Sequence, residues 1–132
     1  MTLAKIYFRI IVVGLLIILV PACGRIQTGQ EQDSEVSIEL TVEPAQPAAG
    51  PAQLIITLTD QNGQPIDNAV LEIEGNMTHA GMVPVFAQTT DGENGRYVVP
   101  FEWTMGGDWT LTVGVLLEDG RTISREFPVT VE

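Results

Sequence analysis

The sequence predicts an all-β fold, an immunoglobulin-like β-sandwich of about seven antiparallel strands preceded by a signal peptide. Three observations carry the prediction. From Val36 onward apolar and polar residues alternate with period two, the signature of half-buried strands. Clusters of Gly, Pro, Asn and Asp separate the alternating runs at short intervals. No stretch after the N-terminal segment has the 3.6-residue period of an amphipathic helix.

The N-terminal segment stands apart. Lys5 and Arg9 precede an apolar run from Ile10 to Val20, and Pro21-Ala22-Cys23-Gly24 supplies small residues for cleavage. That run is shorter than the roughly 18 residues that argue for a membrane span, so residues 1–22 are expected to be a signal peptide. Leu19-Val20-Pro21-Ala22-Cys23 resembles a bacterial lipobox, in which the cysteine is acylated and becomes the first mature residue. Cys23 is the single cysteine, so no internal disulfide can form, and acylation would remove a thiol otherwise exposed in an oxidising compartment. Residues 23–35, polar and aperiodic from Gly24, are expected to tether the domain to the membrane through the lipid on Cys23.

The domain is expected over 36–132. Val36, Ile38, Leu40 and Val42 form one face of a first strand, which ends at Pro44. After a Pro/Ala/Gly turn, Leu54, Ile56 and Leu58 mark a second strand, and Asp60-Gln61-Asn62-Gly63-Gln64-Pro65 is dense in turn formers. Ala69, Leu71 and Ile73 give a third strand, which leads into the loop Asn76–Pro84. Val85–Thr89 is a short strand expected at an edge. Tyr97, Val99, Phe101 and Trp103 share a face of the fifth strand, where Pro100 predicts a bulge or an edge. Trp109, Leu111, Val113 and Val115 mark the sixth, and Phe127, Val129 and Val131 the seventh.

Charge narrows the partners. The formal net charge is -11. Removing residues 1–22 leaves four arginines against 17 acids, about -13, and no lysine. Such a surface repels phosphate backbones and anionic headgroups, which excludes nucleic acid and membrane contact beyond the lipid. A catalytic constellation is absent too: there is one histidine, no phosphate loop and no dinucleotide fingerprint, so an enzyme is not expected.

One loop gathers the remaining chemistry. Met77, His79 and Met82 lie within six residues, and Met105 sits in the turn Thr104-Met105-Gly106-Gly107-Asp108. Thioether and imidazole are the ligands that select Cu(I) over hard cations. If the strands alternate in direction, the turns after the first, third and fifth strands share one end of the sandwich, so both methionine-bearing turns converge. Each residue also has a packing role available. Met77 could close the core, Met82 could pack on Val83 and Phe86, Met105 could lie against Trp103 and Trp109, and His79 could bond a loop carbonyl. Glu72, Glu74, Glu102 and Asp108 read as a solvated face, with Asp108 available to orient His79.

Asp60–Pro65, Met77-Thr78-His79-Ala80-Gly81-Met82, Gly95-Arg96-Tyr97 and Trp103–Leu111, in that order, resemble the pattern of the YtkA-like domain family, relatives of the FixH proteins. The resemblance covers roughly 36–132. It implies a small extracytoplasmic β-sandwich, tethered to the membrane or lipidated, with a role in copper handling and a partner such as cytochrome oxidase or another copper-handling protein. The expectation is a membrane-anchored Cu(I) carrier with metal ligands Met77, His79, Met82 and Met105. The alternative is a non-metal interaction module that docks a partner protein by its loop end.

Replacing Cys23 tests the anchor. Cys23→Ser is expected to abolish incorporation of a radiolabelled fatty acid and to release the domain or leave an unprocessed precursor; a labelled mutant would end the lipobox reading.

Overall fold

The period-two runs become strands whose inward rows meet across two sheets. The computed structural model describes residues 35–79 and 81–132, which lie in one compact unit. The segment 1–22 expected to be a signal peptide, Cys23 and the expected tether as far as residue 34 lie outside the described residues. The strands are β1 (Val36–Glu43), β2 (Gly50–Asp60), β3 (Val70–Met77), β4 (Val85–Thr89), β5 (Gly92–Glu93), β6 (Arg96–Trp103), β7 (Gly107–Leu116) and β8 (Thr122–Val131). They form two four-stranded antiparallel sheets, ordered β1-β2-β6-β5 and β4-β3-β7-β8, packed as a sandwich.

The expected strand count of about seven becomes eight, because Gly92–Glu93, between the expected fourth and fifth strands, forms the two-residue β5. Asn94 and Gly95, both at positive φ, join β5 to β6 in a two-residue hairpin, and Glu93 pairs with Arg96. Two consecutive left-handed residues match the strand twist, which is why Asn-Gly is favoured there. Asn62-Gly63 turns the chain back on the end of β2 only briefly, through an antiparallel bridge between Thr59 and Pro65, since β2 and β3 belong to different sheets. There Asp60 Oδ1 accepts hydrogen bonds from the amides of Asn62 and Gln64. β4 is an edge strand as expected, and Pro100 stands on β6 beyond Arg96 and Tyr97, the residues that β5 covers, where that edge is open.

Leu54, Ile56, Leu58, Tyr97, Val99, Phe101 and Trp103 of one sheet face Leu71, Ile73, Trp109, Leu111, Val113 and Val115 of the other, all buried. The two faces interlock at Gly75: a Cβ there would lie 2.6 Å from Phe101 Cζ, so the missing side chain makes room for a ring from the opposite sheet. Trp103 contacts Phe101 and Trp109 edge-to-face, with centroids 4.9 and 5.2 Å apart, and the cluster plugs the end of the sandwich toward which β3 runs.

The opposite end is tied by Tyr97. Its hydroxyl donates to the Ile66 carbonyl at 2.8 Å and accepts from the Ala69 amide at 3.2 Å, while Asp67 Oδ1 accepts from the Gly95 amide. The crossover from β2 to β3 is thereby fixed to β6, which delivers β3 to the second sheet in a single register.

Burial pushes the Tyr97 phenol above its ordinary range. The folded form therefore holds this proton more tightly than the unfolded chain, so the contribution is present below about pH 10 and lost as pH rises through the elevated value. Tyr97→Phe is expected to cost about 1 to 3 kcal/mol in denaturant titrations near pH 7, because two buried backbone groups lose a partner. It should also flatten the alkaline decline of stability.

Candidate metal centre

β3 and β7 are central neighbours in one sheet and run antiparallel, from Val70 opposite Leu116 to Met77 opposite Trp109. The end of β3 therefore lies beside the start of β7. The 78–84 loop and the 104–106 turn emerge side by side, as the alternating directions predict. The β1–β2 turn and the C-terminus share this end: the Glu132 amide donates to Pro47 O at 2.8 Å, and the Ala49 amide donates to Glu132 O at 3.2 Å.

Met77 corrects the expected loop boundary. It is the last residue of β3 and faces inward, 8% exposed, and Asn76 Oδ1 accepts its amide proton at 2.9 Å. Its methyl carbon reaches the neighbouring turn, since a Cβ on Gly107 would lie 2.6 Å from Met77 Cε. Gly107 also has φ of +132°, a conformation that L side chains rarely adopt. The second glycine of the Met-Gly-Gly-Asp-Trp turn thus creates the slot occupied by the Met77 methyl.

The other candidates lie further out. Met82 is half-buried and packs against the core, its amide donating to the His79 carbonyl at 3.4 Å in a tight turn. Val83 of the same loop and Phe86 of β4 are 78% and 71% exposed. His79 is exposed. Met105 is 43% exposed, and its link to the tryptophans is through the main chain: Trp109 Nε1 donates to the Met105 carbonyl at 3.1 Å. The indole clamps its backbone, and the residue as a whole is exposed.

Asp108 does not take the orienting role available to it. It lies on the outer face of the sheet, where its carboxylate accepts from Thr130 Oγ1 at 2.9 Å. Glu72 and Glu74 share that outer face, whereas Glu102 belongs to the other sheet. Among the described residues no three His, Cys, Asp or Glu side chains group in a way that could hold a metal ion. The donor set at this end is one imidazole and three thioethers, chemistry that fits Cu(I) and not a hard cation.

Sequence reasoning missed Gly107 and the Trp109 indole as the parts that position this end. The signals were present as a Gly-Gly pair and a Trp four residues after Met105; Gly107 acquires its role only through the β3–β7 register, whereas the Trp109–Met105 hydrogen bond is local.

Comparisons with known proteins agree with this architecture. A family model described as YtkA-like matches residues 30–114, a span that contains all four candidate ligands. The soluble domain of PmoD from Methylocystis sp. (Rockwell) superposes with a TM-score of 0.50 at 14% identity, covering 72% of this chain and 90% of that one. At that identity the likeness concerns the fold alone. No curated protein matches the chain.

Gly107→Ala tests the slot. The added methyl meets Met77 Cε and strains a positive-φ position, so the expected cost is about 1 to 3 kcal/mol in thermal or denaturant unfolding. Gly50→Ala, at a similar φ of +124° but with no atom within 4 Å of a Cβ, isolates the backbone part; equal losses would mean that Met77 yields freely.

Proposed function

The chain belongs to the YtkA-like family, and on that premise we propose that it is a copper-binding protein, anchored outside the cytoplasm by a lipid on Cys23, that carries Cu(I) for oxidase maturation or copper homeostasis. The observation that carries this reading is the placement of the Met77–Met82 segment beside the Met105 turn through the β3–β7 register, with Met77 in the Gly107 slot. Four soft or borderline donors, Met77 at the end of β3, His79 and Met82 in the loop after it and Met105 in the neighbouring turn, share one end of a strongly acidic domain.

Met77, Met82, His79 and Met105 are the residues that would hold the ion. Thioethers stay neutral, so they bind without releasing protons, and they do not cross-link in an oxidising space. Their burial is graded: Met77 is buried, Met82 half-buried, and His79 and Met105 exposed. That order suits transfer. The outer donors can give way to a partner's ligands while the inner one keeps its place, held by core packing. The role is carriage and not catalysis.

Titration with Cu(I) held by a competing chelator tests the proposal. Met77→Leu and Met82→Leu are expected to lower affinity at every pH, and Met105→Leu to do the same if the two turns form one site. Because a proton competes for an imidazole but not for a thioether, acidification should weaken Cu(I) binding by the parent more than by His79→Met. If both loop methionine variants bind as tightly as the parent, the domain is instead an interaction module that docks a partner by this loop end.

A further inference from the structure

The outer face of the β4-β3-β7-β8 sheet carries a groove that the metal reading does not use. It measures ≈ 440 Å³ and is lined by Glu72, Glu74, Phe86, Gln88, Thr112 and Gly114. Two cross-strand rows build it. Phe86, Glu74, Thr112 and Glu126 lie side by side on successive strands, and Gln88, Glu72, Gly114 and Ser124 form the next row.

Gly114 makes the depression. It sits inside the central strand β7 at a position without positive φ, and a Cβ there would meet only the Glu72 carbonyl, at an ordinary 3.6 Å. Neither backbone conformation nor core packing requires glycine at this place. A glycine in a strand interior weakens the strand, and its other common use is to let a ligand approach the backbone. The rim supplies the complement: Phe86 stands 71% exposed directly beside Glu74, an aromatic face and a carboxylate on neighbouring strands.

Charge identifies the occupant. The face bears Glu72, Glu74, Asp108 and Glu126, and the three arginines among the described residues stand elsewhere. Arg96 is on β6, Arg121 pairs with Asp119 and Glu35, and Arg125 donates to the Ile38 carbonyl of β1 at 2.9 Å. We propose that this groove is a docking site for a partner protein that inserts an arginine from an exposed segment. Its guanidinium would stack on Phe86 and pair with Glu74 and Glu72, and its stem would lie over Gly114. A planar guanidinium can stack and fork at once, which an ammonium cannot. The site is separate from the copper end and stands or falls independently of it.

The test is fluorescence anisotropy with the full chain in nonionic detergent and a fluorescein-labelled Gly/Ser peptide carrying two arginines, alongside lysine and citrulline versions. The arginine peptide is expected to bind about threefold more tightly than the lysine one, and the citrulline peptide not measurably. Gly114→Leu should fill the groove and abolish binding. Phe86→Ala, a change at an exposed position that leaves the fold intact, should weaken it about threefold. Glu72→Gln with Glu74→Gln should weaken it about tenfold, whereas Glu39→Gln with Glu102→Gln, which removes the same charge from the other sheet, should leave it within about twofold. Equal losses in the two double variants, or parental binding by Gly114→Leu, would overturn the proposal and leave only general attraction between opposite charges.

Discussion

The antiparallel register of β3 against β7 is the constraint on which the rest of the domain depends. β3 has β4 on its other side and β7 has β8, so this pairing holds the second sheet together. It places Met77 opposite Trp109 and Gly75 opposite Leu111, and so decides which rings and which gaps meet the other sheet. A slip of one residue would turn Leu71, Ile73 and Met77 to solvent and bring Glu72 and Glu74 into the core. The burial of two glutamates makes that alternative prohibitive. Hydrophobic alternation therefore selects the register, and the register assembles the site.

Core and candidate site are continuous at the loop end. The aromatic cluster of Phe101, Trp103 and Trp109 closes the sandwich, Met77 adds to that closure, and Trp109 then reaches out to hold the Met105 carbonyl. The turn is thus positioned by a core residue and not by contacts within itself. A loop anchored in this way can present an exposed side chain at low conformational cost, since the backbone that carries it is already ordered. The same economy applies to Met77, whose thioether is set by packing against a glycine.

The β3–β7 pair serves both ends of the functional argument. Its inward residues and terminal turns gather the soft donors, while its outward residues build the acidic groove around Gly114. One face of the strands is bound to the core and the other is free to vary in chemistry, the usual division of labour in an antiparallel sheet with one solvated side. In the proposed reading as a Cu(I) carrier, one end would hold the ion and the outer face would meet a partner, and two adjacent strands would supply both.

The sequence by itself determined the strands, their inward faces, the edge position of Val85–Thr89 and the ends at which the turns fall, because period-two alternation and turn chemistry are local properties. It also singled out Met77, His79, Met82 and Met105, since their scarcity in this chain makes them visible. It did not place Met77 inside a strand, recognise Asn94-Gly95 as a hairpin, or distinguish Gly107 and Gly114 from glycines that serve only turns. Those roles depend on which residue lies across a sheet or between sheets. Partners 30 residues apart, such as Met77 and Gly107, meet only once the register is set, and only then does a glycine's empty space acquire something to hold.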